Sequence, residues 1–188
     1  MSHSRRSFLL NTLAATACLA CDNRVAVGAT PSKPARSPTV DIENFSAAGK
    51  SEGQVTVARV VRTDEEWRKQ LSPDSYVVTR QSGTERPFSG QYDKENGDGL
   101  YRCICCDTAL FDSKTKFDSG TGWPSYWQAI SKLNVVERSG SRSGLLGAET
   151  GCARCDAHLG HVFSDGPRPT GLRYCMNSVA LKFVPRGA

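Results

Sequence analysis

The sequence predicts a mainly β domain of the antiparallel sandwich or barrel type, preceded by two short helices. The first support is a series of short apolar runs separated by Gly, Pro, Asp and Ser, the pattern that many short strands produce. These runs are Leu100–Ile104, Ala109–Phe111, Asn134–Arg138, His161–Phe163 and Arg173–Val184. The second is size, since 188 residues suffice for one domain with a genuine core. The third is that the sequence contains no long amphipathic helix, internal repeat or glycine-rich phosphate loop.

Two adjacent capping patterns predict the short helices. Thr63, followed three residues later by Glu66, forms a capping box that opens a helix reaching about Leu71. Ser72 then stands as an N-cap before Pro73, a residue that suits the first helical position. A second short helix is therefore expected directly after the first.

The first 29 residues have the composition of an export signal. Arg5 and Arg6 directly precede the apolar run Phe8–Ala20, which is too short to span a bilayer comfortably. Paired arginines of this kind are typical of the twin-arginine route, which exports folded proteins. The sequence Val27–Ala29 fits a cleavage site, and a lipoprotein-like site at Cys21 is the alternative. We therefore expect a protein of the periplasm or cell envelope, held at a membrane only if Cys21 is lipidated.

The predicted signal is followed by a segment of different composition. Residues 30–55 are rich in Pro, Ser and Ala, so they are predicted to form a flexible linker. Residues 56–188 are predicted to form the folded domain.

Four of the eight cysteines form two pairs, each with a two-residue gap: Cys103 with Cys106, and Cys152 with Cys155. Two such pairs supply the four thiolates of a tetrahedral structural zinc site. Two alternatives stay open, because an exported protein could oxidise each pair to a disulfide and a single pair of this type can also be a redox motif. We predict one structural Zn²⁺ per chain, since redox motifs rarely come doubled and export after folding allows zinc loading in the reducing cytosol.

Charge does not favour a nucleic-acid or membrane partner. The formal net charge is +5. Removal of residues 1–29 and binding of zinc by four thiolates would leave a charge of about +1. We therefore expect no nucleic-acid binding.

Cys175 belongs to neither pair, and its surroundings suggest a reactive thiol. The run from Leu172 to Leu181 is predicted to be a strand, which would place Arg173, Cys175 and Asn177 on the same face. A neighbouring guanidinium favours the nucleophilic thiolate, and an amide can hydrogen-bond beside it. A buried structural thiol is the alternative, but Arg and Asn neighbours do not suit an apolar burial site.

Two further clusters contain residues suited to catalysis. His158 and His161 would face opposite ways on a regular strand, but Gly160 permits a bulge that brings both inward. Metal ligation is the alternative for these histidines, although four thiolates already satisfy a zinc ion. Asp165 is a candidate orienting partner for them. Trp123 lies between Gly and Pro in a loop, where a rigid indole can wall a pocket for a small apolar group.

Together these segments resemble the B-type peptide-methionine (R)-sulfoxide reductases, the MsrB family. The matching stretches occur in the family order and cover roughly residues 60–184: Gly83–Gly90, Cys103–Cys106, Leu110–Phe111, Lys116–Ser125, Cys152–Cys155, His158–Gly166 and Thr170–Cys175. The resemblance implies a mostly β fold of two antiparallel sheets, with the structural zinc remote from the active site.

The resemblance also implies the reaction and the residues that carry it. Cys175 is the nucleophile that reduces methionine R-sulfoxide in oxidised proteins, becoming a sulfenic acid and so repairing oxidative damage. Trp123 is implied to receive the substrate methyl group. The residues implied to line or support the sulfoxide pocket are His158, His161, Phe163, Asp165, Arg173 and Asn177. This chemistry suits the residues, because the departing oxygen needs a proton that a histidine can supply.

One position departs from the family pattern. Many members carry a resolving cysteine where this chain has Thr121, which cannot form a disulfide. Cys105 is the one unassigned cysteine after residue 29, and it lies between two predicted zinc ligands. We therefore expect a thioredoxin-like protein or another external thiol to reduce the sulfenic acid, with Cys105 as the alternative resolver. A monomer is expected.

Two other classes of function are alternatives for this sequence. A zinc-ribbon binding module would explain the paired cysteines, but it leaves Cys175, the histidines and Trp123 without a role and predicts a basic face. A cysteine hydrolase would use Cys175 with His161. Reduction of a sulfoxide, as opposed to cleavage of an ester or amide, distinguishes the two enzyme classes.

Overall fold

The computed structural model describes residues 37–138 and 147–187. The predicted export signal at residues 1–29, with Arg5, Arg6 and Cys21, lies outside these described residues.

Both helices form where the capping patterns predict them. Helix α1 spans Asp64–Gln70 behind a complete capping box between Thr63 and Glu66. Helix α2 spans Pro73–Gln81, with Ser72 accepting a hydrogen bond from the Ser75 backbone amide. Neither helix in the described part of the chain has the length and apolar character needed to cross a bilayer.

The rest of the described chain is built from antiparallel sheets, which confirms the predicted mainly β class. The first sheet has six strands in the order β5, β6, β10, β9, β8, β7. In that order, the strands are β5 (Lys116–Phe117), β6 (Ser125–Tyr126), β10 (Arg173–Met176), β9 (His158–Phe163), β8 (Ala148–Cys152) and β7 (Val135–Arg138). The second has the order β11, β3, β4, with bounds Leu181–Pro185, Gly99–Cys103 and Ala109–Asp112. Two short 3-10 helices, Ser113–Thr115 and Ser178–Ala180, complete these segments.

A third, two-stranded sheet corrects the predicted linker at residues 30–55 over the part from residue 39 onward, while residues 30–36 lie outside the described part of the chain. Strands β1 (Thr39–Phe45) and β2 (Ser51–Ala58) form an antiparallel hairpin. The hairpin is attached to the domain: the Glu43 amide donates to Asn134 Oδ1 at 2.8 Å, and Asn134 Nδ2 donates to the Glu43 carbonyl at 2.8 Å. Ile42 is buried. The alternating Val and Ile residues on these strands outweigh the Pro- and Ser-rich composition that suggested a linker.

Aromatic rings join the two larger sheets. Tyr101 and Phe111 come from the three-stranded sheet, whereas Tyr126 and Tyr174 come from the six-stranded one. The Phe111 and Tyr126 rings stack with centroids 4.4 Å apart, and Tyr101 meets Tyr126 edge-on at 5.1 Å. Such pairs contribute about 0.5–1.5 kcal/mol each beyond burial. This packing fixes the six-stranded sheet, whose other face carries Cys175.

The predicted strand from Leu172 to Leu181 is in fact two strands in different sheets. Strand β10 ends at Met176, a 3-10 turn follows, and β11 then joins the other sheet. Arg173 and Cys175 therefore alternate on one strand as predicted, but Asn177 lies just beyond its end. The Asn177 amide still bonds to the Leu159 carbonyl on β9, and the chain then leaves the sheet in a turn whose Ser178 and Val179 amides donate to the Glu85 carboxylate.

Candidate active site

One row of cross-strand neighbours runs across the six-stranded sheet. Residues directly opposite each other in antiparallel strands have Cβ atoms about 4.5–5.5 Å apart and share a face. The row consists of Phe117, Ser125, Cys175, His161, Glu149 and Arg138. The register of the sheet therefore places a thiol beside an imidazole and the imidazole beside a carboxylate.

A bulge at Leu159 brings the two histidines together, as the sequence predicted. Thr150 pairs with Gly160 and Gly151 pairs with His158, so Leu159 is the extra residue on β9. The His158 and His161 rings consequently meet edge-on, with centroids 5.4 Å apart. Gly160 is needed for close approach: a Cβ there would lie 2.1 Å from the Cys175 carbonyl oxygen.

The orienting carboxylate for the histidines is Glu149, and sequence reasoning missed it. His158 Nδ1 lies 3.0 Å from Glu149 Oε1, and Arg138 Nη1 lies 3.5 Å from the same oxygen. His158 is buried, and its Nε2 has no hydrogen-bond partner among the described residues. Glu149 was missed because its strand, β8, was not predicted and only the strand register places it opposite His161.

Asp165, the predicted orienting partner, binds Arg173 instead. Its two oxygens accept from Arg173 Nε at 2.9 Å and Nη2 at 2.8 Å, a bidentate pair. The Arg173 guanidinium also lies 4.3 Å from the centre of the Phe163 ring, its cross-strand neighbour. Asp165, Arg173 and Phe163 thus form one connected group beside Cys175.

The Arg neighbour does not lower the pKa of the Cys175 thiol below its ordinary value, contrary to the expectation from the sequence. Burial raises the pKa of the Cys175 thiol, and hydrogen bonding from Thr121, with the nearby charge of Arg173, only partly opposes this. The Thr121 hydroxyl lies 3.9 Å from the Cys175 sulfur. The Ser119 hydroxyl lies 2.8 Å from those of both Thr121 and Ser125. The guanidinium is less effective than expected because Asp165 neutralises it.

Burial also disfavours the charged form of the neighbouring imidazole, that of His161. The pKa of His161 is lowered, first by burial and then by the charge of His158, while Glu149 opposes the shift. A raised thiol pKa and a lowered imidazole pKa both favour the neutral pair. The register of the sheet places these two groups opposite each other on neighbouring strands.

A cleft of about 270 Å³ opens above this pair. It is lined by Thr84, Trp123, Gly160, His161, Phe163, Cys175, Met176 and Asn177. Five of the residues singled out in the sequence therefore meet at one cleft: Trp123, His161, Phe163, Cys175 and Asn177. His158, Asp165 and Arg173 are not among its lining residues. His158 contacts His161, Arg173 contacts Phe163, and Asp165 binds Arg173.

Glu85 organises one wall of this cleft. Its role was not predicted from the sequence, although the residue lies in the stretch Gly83–Gly90 that matches the family. Its carboxylate accepts from the Ser178 and Val179 amides at 2.7 and 3.0 Å. Its own amide donates to Asn177 Oδ1 at 2.9 Å, and its carbonyl accepts from the Trp123 indole at 3.1 Å. Asn177 also donates to the Leu159 carbonyl at 3.0 Å. Trp123 and Asn177 are therefore held in place through one residue.

Comparison with known proteins assigns the family. The SelR domain model matches residues 71–185. The chain is 58% identical over 128 residues to the peptide methionine sulfoxide reductase MsrB of Pseudomonas syringae pv. syringae, a match covering 68% of this chain and 98% of that protein. The protein of the same name from Pseudomonas entomophila is 57% identical over the same coverage. The chain belongs to the MsrB family. It is an oxidoreductase of the peptide methionine sulfoxide reductase class.

This MsrB-family chain also brings its four paired cysteines together. The sulfurs of Cys103, Cys106, Cys152 and Cys155 all lie within 4.8 Å of one another. Cys103 and Cys155 are 3.7 Å apart, and Cys106 and Cys152 are 3.5 Å apart. A disulfide requires about 2.05 Å, whereas four sulfurs at about 2.3 Å from a tetrahedral ion lie about 3.8 Å apart. The geometry fits a metal site and does not fit two disulfides.

The two cysteine pairs are presented by matching turns. The Cys103 carbonyl accepts a hydrogen bond from the Asp107 amide at 2.9 Å, and the Cys152 carbonyl accepts one from the Asp156 amide at 3.0 Å. Both aspartates have left-handed backbone conformations, with φ of 61° and 59°. One turn joins β3 to β4 and the other joins β8 to β9, so the site connects the two larger sheets. Within the described residues, none of the four cysteines lines the cleft at Cys175.

Proposed function

We propose that this MsrB-family chain reduces the R epimer of methionine sulfoxide in proteins, and that the reaction repairs oxidative damage. The observation that carries the proposal is the pairing of Cys175 with His161 at a cleft walled by Trp123 and Phe163. An apolar wall suits a methyl group, and the polar floor suits the S=O group. Only one sulfoxide epimer can present both groups correctly to a chiral cleft.

The reaction balances as one oxygen transfer. The Cys175 sulfur attacks the sulfoxide sulfur, while the thiol proton passes through His161 to the sulfoxide oxygen. A bond forms between the two sulfurs as the substrate S–O bond breaks and the protonated oxygen leaves as hydroxide. The hydroxide then attacks the Cys175 sulfur and breaks the S–S bond, which leaves a sulfenic acid on Cys175. The substrate leaves as methionine, reduced by two electrons, and Cys175 is oxidised by two. The neutral thiol and imidazole favoured by burial supply the single proton that this step requires.

The other site residues have supporting roles in the proposal. Trp123 contacts the substrate methyl, and its indole is oriented by the Glu85 carbonyl. Asn177 lines the cleft and fixes the end of β10. Arg173 acts on Cys175 through its charge, which Asp165 moderates. His158 sits behind His161, where Glu149 orients it.

Replacing the nucleophile tests the assignment directly. With dithiothreitol as reductant, wild-type protein should convert N-acetyl-methioninamide R-sulfoxide and leave the S epimer unchanged. Cys175→Ser should lose turnover by at least about 1,000-fold. Cys105→Ser, which changes a cysteine that does not line the cleft, is the matched control and should keep its activity. Substantial turnover by the Cys175 variant would contradict the proposal, and cleavage of an ester or amide substrate would point to a hydrolase.

The sulfenic acid can be trapped before a second thiol reduces it. Adding R-sulfoxide without a reductant should make Cys175 reactive toward dimedone, and mass spectrometry should locate the adduct. An adduct that never appears at this position would remove the proposed intermediate.

We further propose that an external thiol, such as a thioredoxin-like protein, recycles the sulfenic acid. Thr121 lies beside the Cys175 sulfur but has no thiol. Cys105 is buried between two members of the cysteine cluster, so it is poorly placed to act as a resolver. Thioredoxin-dependent turnover should therefore survive Cys105→Ser. A collapse of that turnover, with dithiothreitol-dependent activity retained, would assign the resolving step to Cys105.

Zinc is the metal we propose for the four-cysteine site. Cys103, Cys106, Cys152 and Cys155 offer four sulfurs, the donor set that suits a structural zinc ion. A zinc ion with all four positions filled supplies stability and no open coordination site for substrate. Metal analysis of purified protein should find about one zinc per chain. A stably folded protein without metal would contradict this proposal.

Export through the twin-arginine route is proposed from the sequence alone. Arg5 and Arg6 precede the apolar run, and cleavage is proposed near Val27–Ala29. Replacing both arginines by Lys should retain the protein in the cytoplasm, and mass spectrometry of the exported form would show whether Cys21 is lipidated or removed. An uncleaved Met1 in an extracytoplasmic fraction would contradict cleavage. Size-exclusion chromatography tests the expected monomer.

A further inference from the structure

We infer that Phe88 forms a docking platform for apolar residues that flank the oxidised methionine in a protein substrate. This inference rests on the proposed function, and it extends the substrate from a single side chain to a segment of unfolded or locally opened polypeptide. The evidence lies in the conformation, exposure and anchorage of Phe88.

The backbone of Phe88 adopts a conformation that favours glycine. The Ser89 amide donates to the Arg86 carbonyl at 3.3 Å, so residues 86–89 form a β-turn with Pro87 at its second position. Phe88 occupies the third position with φ of 62°. A turn of this type II pattern normally places Gly or Asn there, because a bulky side chain with positive φ is strained. Phe88 therefore occupies a position where glycine would be less strained, which points to a function for the phenyl ring.

The ring is exposed although its backbone is firmly held. The side chain of Phe88 is 65% exposed, so the ring does little as core packing. The Phe88 amide nevertheless donates to the Gly122 carbonyl at 2.7 Å. A Cβ on Gly122 would lie 2.8 Å from the ring, so one edge of the phenyl group rests against the Gly122 backbone. The rest of the ring faces outward from a fixed position.

Phe88 is not among the residues that line the cleft, but it is held beside two that are. Gly122 immediately precedes Trp123, which lines the cleft, and Thr84 from the same loop as Phe88 also lines it. Glu85 fixes this loop through the Trp123 indole and the Ser178 amide. A methionine sulfoxide side chain in the cleft would therefore bring its neighbouring residues past an immobilised aromatic surface.

The chemistry of the substrate explains why this surface is apolar. Methionine is among the residues most often buried, so the side chains around it, including those two to four residues away along the same strand or helix, are often apolar. Oxidation makes the side chain polar and disrupts the surrounding core, which exposes those neighbours. An exposed ring beside the cleft would bury apolar area only when such a segment is bound, and free methionine sulfoxide could not use it.

Phe88→Gly tests the platform with little risk to the fold, because glycine is the residue that this backbone conformation favours. Three R-sulfoxide substrates are compared: N-acetyl-methioninamide sulfoxide, a pentapeptide with Leu on both sides of the oxidised methionine, and the same peptide with Ser on both sides. Wild-type protein should prefer the Leu peptide. In Phe88→Gly, kcat/KM for the Leu peptide relative to the small substrate should fall about five- to tenfold, through KM, and the preference for Leu over Ser should disappear.

Val77→Ser is the matched control, because Val77 is also an exposed apolar residue but lies on α2, outside the loop that carries Thr84 and Phe88. It should leave the substrate ratios unchanged. An unchanged ratio in Phe88→Gly, or an equal loss for both peptides, would overturn the platform. If wild-type protein reduces none of the three substrates, the proposed function itself fails. Reduction of all three without a preference for Leu would overturn the platform alone.

Discussion

Ionisation of the catalytic sulfur depends on a balance among a few contacts. Burial raises the pKa of Cys175, and the Thr121 hydroxyl and Arg173 oppose it. Arg173 is less effective than an isolated cation would be, because Asp165 binds it through two hydrogen bonds. The carboxylate therefore controls how strongly Arg173 stabilises a thiolate at Cys175.

Asp165→Asn should lower the pKa of Cys175 by removing the charge that neutralises Arg173. The rate of alkylation of Cys175 by iodoacetamide, followed by mass spectrometry, rises with pH as the thiolate forms. In the variant this rise should occur at lower pH, which increases the rate at pH 7 by about two- to fivefold. Asp98→Asn is the control, because Asp98 pairs with Arg186 at 2.9 Å and is equally exposed. An unchanged or higher midpoint would contradict the role assigned to Asp165.

Glu149→Gln should slow the chemical step without weakening substrate binding. The glutamine keeps an oxygen acceptor for His158 but loses the charge that favours an imidazolium at His161. We expect kcat to fall about 10- to 100-fold with KM unchanged, because Glu149 does not line the cleft. In single-turnover formation of the sulfenic acid, the apparent pKa assigned to His161 should move to lower pH.

Glu137→Gln is the control for Glu149→Gln. Glu137 lies on the neighbouring strand β7 and accepts from the Tyr174 hydroxyl at 2.6 Å, away from the histidines. Its variant should keep both kcat and the pH profile. A Glu149 variant that loses activity through KM, or without a change in pH profile, would indicate a structural role only.

Among the elements, strand β9 contributes most to the geometry of the site. The bulge at Leu159 turns His158 toward His161, and Gly160 allows β10 to approach closely enough to carry Cys175 beside them. The site therefore depends on the backbone of β9 as much as on its side chains.

Gly160→Ala should disrupt this approach. The added Cβ would lie 2.1 Å from the Cys175 carbonyl oxygen, so the strands must separate. We expect the free energy of unfolding to fall by more than about 2 kcal/mol and activity to be lost. Gly171→Ala provides the comparison, since Gly171 also has an unusual φ of 72° but no atom lies within 4 Å of a Cβ there. Urea denaturation should show that Gly171→Ala lowers the free energy of unfolding by about 1 kcal/mol. Equal losses in the two variants would show that contact with β10 is unimportant.

Local sequence signals predicted the elements that depend on neighbouring residues. The capping residues Thr63 and Ser72 fixed both helices, and the strand alternation placed Arg173 and Cys175 on one face. The hairpin at residues 39–58 was missed because its composition resembles a linker. The end of β10 at Met176 was missed because the turn that follows it is held by the carboxylate of Glu85, which is distant in sequence. Glu149 was missed for the same reason: its partner is chosen by strand register.

At the scale of the whole molecule, two different contacts hold the larger sheets together. The aromatic rings pack one face of the six-stranded sheet against the three-stranded sheet. The four-cysteine site joins the turn after β3 to the turn after β8. Because neither contact uses the opposite face of the six-stranded sheet, that face is available for the active site. Loss of the metal should therefore affect the active site only through loss of the fold.

Removal of one metal ligand tests this division. Cys152→Ser should lose the bound metal and lower the melting temperature by more than about 10 °C, because binding at a structural zinc site contributes free energy comparable to the stability of a small domain. Cys105→Ser changes a buried cysteine in the corresponding turn that is not one of the four clustered sulfurs, so it should keep both metal and melting temperature. Metal content and circular dichroism are measured together with turnover during a titration with chelator. Activity should fall in parallel with the loss of fold, since the metal lies outside the cleft. A metal-free protein that stays folded but inactive would show instead that the metal acts on the chemistry at Cys175.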